Sequence, residues 1–309
     1  MKKIGIVINP HAKRNLKLKY RSIEKYNKIG KDHVDIRITK DLDEVTTVIK
    51  DFKRIGISYI AISGGDGTLH HVLLQMMKLY EPKSMPPIVI LKDGTMNVVA
   101  KSIKLKGQGY RVLSELLKKI KNNEDIQTIK IDTIKVEDRY CFLFGLGLAS
   151  NFLYEYYKGG DTGSYKALRV IVKSIIGIAI GKRMNNVFKR LKAKAIIDEK
   201  ELMFDNFIGI LAGTVNEIGL GFKPLCRAYE RDSAFHLIAS GIKPVELILG
   251  VNKFRAGKLI EHPLHLDCIA EKMKIIGPPK YQYIMDGELY DAHNELEIDV
   301  GPQVELVYM

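Results

Sequence analysis

The sequence predicts an α/β domain built on a parallel sheet, followed by a mostly β domain that forms a sandwich. Short apolar runs alternate with helical stretches over residues 1–128, which is typical of a parallel sheet covered by helices. Residues 129–309 contain short β-branched runs separated by polar turns. The length of 309 residues agrees with two domains, and a hydrophobic content of 46% excludes a disordered chain.

Strands and helices alternate in the first domain. The continuous apolar run Ile4–Ile8 is typical of a strand that is buried on both faces. Asp41 and Asp43 are suited to the N-terminal end of the helix beside them. The predicted elements are, in chain order, strand Ile4–Ile8, a basic and partly helical stretch Leu16–Ile29, strand Val34–Ile38, helix Leu42–Ile55, strand Tyr59–Ser63, helix Leu69–Leu79 and strand Ile88–Leu91.

The second domain is predicted to be rich in strands, with two helical interruptions and a last strand that returns to the first domain. The polar turn Glu199-Lys200 separates two of its strands. The predicted helices are Tyr165–Arg190 and Val245–Lys258, and the predicted strands are Ile129–Glu137, Tyr140–Leu146, Ala193–Asp198, Glu201–Phe204, Asn206–Val215, Ala234–Ala239, Cys268–Ile276 and Tyr281–Met285.

The chain is basic, with a net charge of +13 and a pI of about 9.4. A basic surface attracts nucleotide phosphates, nucleic acid or an anionic membrane. The sequence has no tryptophan and none of the zinc-finger or RNA-recognition patterns, so we expect no nucleic-acid partner.

Cysteine usage and hydropathy predict a cytoplasmic protein. Cys141, Cys226 and Cys268 are odd in number and form no CxxC pair, which favours a reducing compartment and argues against structural zinc. The longest apolar run, Val170–Gly181, is interrupted by Lys173 and is shorter than the ~20 residues that a membrane-spanning helix needs. The N-terminal residues have neither the long apolar region nor the cleavage site of a signal peptide.

A glycine-rich turn, Ser63–Thr68, lies between a predicted buried strand and a helix. Glycines allow the backbone to approach a ligand closely, and a helix N-terminus binds phosphate through its free N–H groups. Asp66 would repel phosphate unless Mg²⁺ or an attacking hydroxyl group is also present. The structural alternative is that Asp66 caps the helix. The spacing matches neither a Walker A loop nor the GxGxxG motif.

A second turn, Lys92–Asn97, follows the next strand and is expected at the same edge of the sheet. Its hydroxyl and amide groups are able to contact a nucleotide. Alone it is equally well explained as an ordinary connection between a strand and a helix. Two such turns on successive strands together favour a nucleotide site.

Six motifs follow one another along the chain. They are Asn9-Pro10-His11-Ala12, SGGDGT at 63–68, GTMN at 94–97, Gly145-Leu146-Gly147, Asn216 with Gly219-Leu220-Gly221 and Pro224, and Asp286-Gly287-Glu288. Together they resemble the diacylglycerol kinase catalytic-domain family, which includes bacterial lipid kinases and sphingosine kinases. GGDGT is shared with NAD kinases, whereas the full series is specific to the family.

The resemblance implies an ATP-dependent kinase that phosphorylates a lipid hydroxyl group, of diacylglycerol or of a sphingoid-like lipid, with Mg²⁺. It implies that Glu288 accepts the proton, with Asp286 beside it, and that Asp66 orders Mg²⁺ through water or approaches the hydroxyl. The residues implied to line the nucleotide site are Asn9, Pro10, Ala12, Thr39, Gly64, Gly65, Gly67, Thr68, Thr95 and Asn97.

The resemblance also implies a second, structural Mg²⁺ at Tyr229, Asp232 and Ala234, bound by the outer two residues through their backbone carbonyls. Ser233 stands in this segment where the family has glycine. Val98 stands where bacterial members usually have an acid after the GTxN asparagine, so one carboxylate is missing unless Asp93 replaces it.

A basic segment follows an apolar stretch, Val170–Ile180, in the second half of the chain. Such a pair of segments suits an anionic lipid surface, so we expect peripheral membrane association. The alternative is a core helix with a basic, solvated end. The basic residues are Lys182, Arg183, Lys189, Arg190, Lys192 and Lys194.

Two other functions are compatible with the sequence. An NAD kinase shares GGDGT and has an Asn-Glu pair like Asn216-Glu217. A nucleotide- or lipid-binding module without catalysis would explain Val98, although Asp66, Asp286 and Glu288 argue against it. The sequence leaves open whether the protein forms a homodimer.

Overall fold

The computed structural model describes residues 3–17, 21–157 and 186–309. The chain divides into two compact units. The N-terminal unit comprises residues 1–131 and 302–309, and the β unit comprises residues 132–301.

The N-terminal unit alternates strands and helices. Its elements are β1 (Ile4–Ile8), α1 (Lys13–Lys17), α2 (Arg21–Gly30), β2 (Val34–Ile38), α3 (Leu42–Arg54), β3 (Tyr59–Ser63), α4 (Asp66–Leu79), β4 (Ile88–Ile90), α5 (Val98–Ser102) and α6 (Gly109–Lys121), followed by β5 (Thr128–Val136), which continues into the β unit.

The strands of this unit form a parallel sheet in the order β2-β1-β3-β4. The isoleucines of β1 pack on one face with Tyr26 of α2 and with Val112 of α6. On the other face Phe52 of α3 lies directly over Gly5, so helices cover both faces. Asp41 caps α3 by accepting a hydrogen bond from the backbone N–H of Glu44 at 2.8 Å. The predicted α/β fold is therefore confirmed.

Some boundaries in this unit differ from the prediction. α4 begins at Asp66 rather than Leu69, because Gly65 is the N-cap residue and Gly67 is part of the first helical turn. The stretch Leu16–Ile29, predicted to be partly helical, contains the end of α1 and most of α2, and residues 18–20 lie outside the described residues. Helices α5 and α6 were not predicted.

The β unit contains most of the strands. After β5 its elements are β6 (Arg139–Cys141), β7 (Leu143–Gly147), α7 (Leu148–Tyr157), β8 (Leu191–Lys192), β9 (Lys194–Ile197), β10 (Lys200–Glu201), β11 (Asn206–Phe207), β12 (Gly209–Gly213), β13 (Phe235–Ser240), α8 (Pro244–Leu249), α9 (Val251–Arg255), β14 (His265–Ala270), β15 (Lys272–Ile276), β16 (Tyr281–Met285), β17 (Glu288–Ala292) and β18 (Glu295–Val307), whose last residues belong to the N-terminal unit.

Two sheets pack face to face in the β unit, as predicted for a sandwich. One is antiparallel, in the order β14-β13-β12-β7-β16-β17, and the other contains β10-β9-β15-β18 with β5 and β6 beside them. Phe144 and Tyr283 from the first sheet share a buried core with Ile275 and Ile298 from the second. Burial of this shared apolar face drives the two sheets together.

The predicted strand Cys268–Ile276 is wrong as a single element. β14 ends at Ala270 and β15 begins at Lys272, and the two strands belong to different sheets. Tyr140–Leu146 is likewise divided at Phe142 between β6 and β7, which also belong to different sheets. In both places the chain passes from one sheet to the other without glycine or proline, so the sequence carries no local signal for the break.

Two further predicted elements also differ. Val245–Lys258 is not one helix but α8 and α9, which meet at Gly250. Most of the predicted helix Tyr165–Arg190, including the apolar stretch 170–180, lies outside the described residues. Within the described ranges no helix is long and apolar enough to cross a membrane.

Gly5 provides a test of helix packing on the parallel sheet. A Cβ atom at this position would lie 2.5 Å from the ring of Phe52, so Gly5→Ala is expected to lower the free energy of unfolding by about 1–3 kcal/mol. Chemical denaturation measures the effect. The same substitution should cost less in a Phe52→Leu background, and equal costs in both backgrounds would contradict this packing.

Candidate functional site

Two glycine turns lie at the carboxyl ends of adjacent parallel strands in the N-terminal unit. The first connects β3 to α4, and the second connects β4 to α5. A Cβ atom on Gly94 would overlap Cα of Gly65, so the backbones of the two turns are in direct contact. Among the described residues no side chain caps α4, which leaves a helix N-terminus suited to an anion beside the two turns.

A third turn, after β1, is fixed to the first by side-chain hydrogen bonds. The amide of Asn9 donates to Thr68 Oγ1 at 3.0 Å, and its backbone N–H donates to the carbonyl of Ser63 at 3.0 Å. The side-chain oxygen of Asn9 accepts from the backbone N–H of His11 at 2.8 Å. The predicted residues Asn9 and Thr68 are therefore in contact although 59 positions separate them.

Other predicted nucleotide-site residues lie near the end of β1. The backbone N–H of Thr39 donates to the carbonyl of Ile8 at 2.9 Å, which extends the pairing of β1 and β2 by one residue. Pro10 and Ala12 are buried in the turn that Asn9 begins. These residues shape the backbone next to the glycine turns.

The remaining glycines and Thr95 belong to the turns themselves. A side chain on Gly64 would overlap the hydroxyl group of Thr68, so this glycine allows the tight entry into α4. Gly67 lies in the first turn of α4. Thr95 is exposed in the second turn, where its hydroxyl group is accessible to a ligand.

Asp66 contacts the second turn rather than capping its own helix. Its Oδ1 accepts a hydrogen bond from the backbone N–H of Val98 at 2.6 Å, at the start of α5. The preceding residue, Asn97, has a left-handed backbone with φ of 49° and donates from its side chain to the carbonyl of Gly94 at 3.1 Å. The carboxylate of Asp66 thus ties the two turns together.

Asp93 does not replace the acid that is missing at Val98. Its side chain points into the unit, is only 2% exposed, and accepts hydrogen bonds from the hydroxyl groups of Tyr26 and Ser63, both at 2.7 Å. Arg14 Nε lies 3.7 Å from its second carboxylate oxygen. Burial raises the pKa of Asp93, although its hydrogen-bond donors and Arg14 oppose that effect. Asp93 therefore joins Tyr26, Ser63 and Arg14 inside the unit.

Two residues that support the turns, Asn15 and Tyr26, were not predicted from the sequence. Asn15 is fully buried and donates to the carbonyl oxygens of Asn9 and Ser63, at 2.8 and 3.3 Å. The hydroxyl group of Tyr26, in α2, donates to the buried carboxylate of Asp93. No local pattern marks either residue, because their partners come from distant parts of the chain.

The Asp286-Gly287 pair forms a two-residue hairpin turn between β16 and β17 in the β unit. Both residues have positive φ, 50° and 92°, as the tight turns of hairpins require. Asp286 Oδ1 accepts hydrogen bonds from the backbone N–H groups of Phe142 and Leu143, at 3.0 and 2.9 Å. This carboxylate fixes the hairpin to the start of β7.

Glu288 is the first residue of β17, directly after the hairpin turn, and is partly exposed. The hydroxyl group of Tyr157 donates to the neighbouring carbonyl of Gly287 at 3.3 Å. Burial, and secondly the charge of Glu288, raise the pKa of Tyr157 to about 12. The same two causes raise the pKa of Tyr290 to about 12, so Glu288 lies among neutral tyrosines.

The three residues implied for a structural Mg²⁺ lie just before β13. Tyr229 and Asp232 are exposed, and Ala234 is buried. Ser233 adopts a left-handed backbone with φ of 55°, and its N–H donates to Asp132 Oδ2 at 2.9 Å. In the described part of the chain no three His, Cys, Asp or Glu side chains are grouped to hold a metal.

Comparison with known proteins agrees with the motifs. Residues 3–130 match the family model of the diacylglycerol kinase catalytic domain. A curated relative, a candidate lipid kinase of Streptococcus pneumoniae serotype 4, is 27% identical over 149 residues. This match covers 48% of the chain and 47% of the relative, so the chain spans about half the length of the curated relative.

Solved structures resemble the chain over its whole length. A candidate diacylglycerol kinase from Bacillus anthracis strain Sterne has a TM-score of 0.73 at 17% identity, covering 100% of this chain and 97% of that one. Another structure from the same strain, described as a diacylglycerol kinase, has a TM-score of 0.67 at 14% identity with the same coverage. Their likeness shows the fold, and the match of residues 3–130 to the diacylglycerol kinase catalytic domain model confirms the resemblance inferred from the motifs.

Proposed function

We propose that the protein transfers the γ-phosphoryl group of ATP to the hydroxyl group of a lipid, diacylglycerol or a sphingoid-like lipid. The observation that carries the proposal is the direct contact of two glycine turns at the carboxyl ends of β3 and β4, within a diacylglycerol kinase catalytic domain. Phosphoryl transfer depends mainly on positioning and on neutralising phosphate charge. A cradle of backbone N–H groups supplies both.

The nucleotide phosphates are proposed to bind over Gly64–Thr68, with the N–H groups of the first α4 turn as donors. Thr95 contacts the nucleotide through its exposed hydroxyl group. Asn9 holds the third turn against Thr68, so it acts by keeping the cradle closed rather than by donating to the ligand.

Glu288 is proposed as the general base that accepts the proton of the lipid hydroxyl group. The carboxylate of Asp286 is engaged by two backbone N–H groups, so its role is to hold the hairpin that presents Glu288. A glutamate at the start of a strand, directly after a turn with fixed register, has a defined position from which to accept a proton.

Mg²⁺ fits the oxygen donors present. Oxygen ligands suit this ion, which is commonly bound by one or two carboxylates together with substrate phosphates. Asp66 would contribute through its carboxylate, and Tyr229, Asp232 and Ala234 would hold a structural ion through a carboxylate and backbone carbonyls. Mg²⁺ at the phosphates would neutralise charge that develops during transfer.

The acceptor lipid implies a cytoplasmic enzyme that is peripheral at an anionic membrane. Within the described part of the basic segment predicted to mediate this contact, Arg190 has a different role. The guanidinium group of Arg190 donates to the backbone carbonyls of Asn206, Gly241 and Ile242 at 2.7–3.0 Å, so it is a structural residue. Lys194 pairs with Glu201 at 3.2 Å, and Lys182 and Arg183 lie outside the described residues.

The contact between the glycine turns is tested by Gly94→Ala. The new methyl group would force the second turn away from Gly65, so we expect ATP affinity to fall at least about tenfold in calorimetry. Gly250→Ala in the β unit, where the backbone φ is −83°, is the matched control and should bind ATP normally. Normal ATP binding by folded Gly94→Ala protein would contradict the phosphate cradle.

The base is tested by comparing Glu288→Gln with Asp286→Asn. Loss of a general base typically costs ~10²–10⁴-fold, so kcat of Glu288→Gln should fall by about that factor while ATP affinity stays unchanged. Asp286→Asn keeps an acceptor oxygen for the two backbone N–H groups and should retain most activity. A larger loss in Asp286→Asn than in Glu288→Gln would reverse the assignment.

The acceptor is identified by a radiolabelled-ATP transfer assay with the wild-type protein. Diacylglycerol, monoacylglycerol, a sphingoid base, ceramide, phosphatidylglycerol and NAD are offered separately. Label on a lipid supports the proposal and names the acceptor. Label on NAD would identify an NAD kinase instead, and ATP binding without transfer to any acceptor would indicate a binding module.

A further inference from the structure

An apolar and basic surface projects from the β unit at residues 243–264. None of these residues is buried, although the segment contains two helices, α8 and α9. The side chain of Leu249 is 80% exposed and that of Val245 is 53% exposed. Burial of an apolar face normally stabilises such short helices, yet these outer apolar side chains belong to none of the hydrophobic clusters among the described residues. The exposed apolar residues, which define the α8–α9 surface, are Val245, Leu249, Val251, Leu259 and Leu264.

The inner side of this segment attaches it to the rest of the β unit. Phe254 packs against a small core cluster that contains Leu225 and Ile238. The guanidinium group of Arg255 lies 5.9 Å from the centre of the Phe222 ring. The segment is therefore attached by α9, and the outer apolar side chains do not contribute to that attachment.

The outer side of α8 presents a regular pair of apolar residues. Val245 and Leu249 are four positions apart and so lie on the same face of the helix. Glu246, between them, is turned back to accept a hydrogen bond from the backbone N–H of Lys243 at 2.7 Å. Its carboxylate therefore serves the start of the helix.

Charge indicates what covers this surface. The segment carries four basic residues, Lys243, Lys253, Arg255 and Lys258, against two acidic ones, Glu246 and Glu261, and all six are exposed. The whole chain is also strongly positive, at +13. A second copy would bring the same positive charge to the contact, and nucleic acid offers no apolar layer to protruding leucines. An anionic bilayer satisfies both the apolar and the basic side chains.

We propose that the α8–α9 surface docks on an anionic lipid bilayer, with Val245 and Leu249 in the interfacial layer and the flanking lysines at the headgroups. The inference deepens the proposed function, since a kinase acting on a membrane lipid must reach the bilayer. Docking itself requires neither ATP nor catalysis. The two proposals can therefore be tested separately.

The test is sedimentation of the full-length protein with vesicles of phosphatidylcholine and phosphatidylglycerol. Val245→Asn/Leu249→Asn removes apolar side chains from the interfacial layer, so this variant should bind at least about tenfold more weakly. Lys253→Gln/Lys258→Gln should bind more weakly and with a smaller dependence on salt. Leu42→Asn, at an exposed leucine of the N-terminal unit, is the matched control and should bind normally.

The outcomes separate docking from catalysis. If docking is correct, Val245→Asn/Leu249→Asn phosphorylates a detergent-dispersed short-chain acceptor normally but a vesicle-borne acceptor slowly. Normal vesicle binding by this variant would overturn docking even if the kinase is active. Equal wild-type binding to neutral and anionic vesicles would also overturn it, as would a change in oligomeric state without a change in vesicle binding. Vesicle binding by a wild-type protein that transfers no phosphate would leave docking standing and reject the kinase.

Discussion

A buried carboxylate, that of Asp93, is the interaction on which the geometry of the two glycine turns depends. It joins the hydroxyl group of Tyr26 in α2 to that of Ser63 at the end of β3, and Arg14 lies opposite. Burying a charge is costly unless hydrogen bonds and an opposite charge compensate for it. The compensating groups must therefore stay in place, and the contact between Ser63 and Asp93 joins the first turn directly to the second.

The three turns that follow β1, β3 and β4 are joined to one another by direct contacts. Asn9 links the third turn to Thr68 of the first turn, Gly65 touches Gly94, and Asp66 holds the start of α5 at Val98. Side chains thus act mainly on the backbone and fix the path of the turns. An arrangement in which side chains fix the backbone is typical of sites that bind phosphate through the main chain.

The sequence predicts the elements whose signals are local, and it fails where the cause is distant. Apolar runs identified β1 and β3 because a parallel sheet buries both faces of its strands. The passages between sheets after Ala270 and at Phe142 gave no such signal, because tertiary packing determines them. The same holds in the site: the glycines were evident, but the inward direction of Asp93 depends on Tyr26, which lies far away in the chain.

The two-residue turn before Glu288 has a consequence for how this segment tolerates change. Successive residues of a strand point to opposite faces, so the register Met285↔Glu288 determines the side on which the carboxylate emerges. Inserting one residue at Gly287 while the two-residue turn is kept would transfer Glu288 to the other face of the sheet. Deleting Gly287 would instead draw Glu288 into the turn and place Leu289 opposite Met285. The length of this hairpin therefore determines where the carboxylate of Glu288 lies.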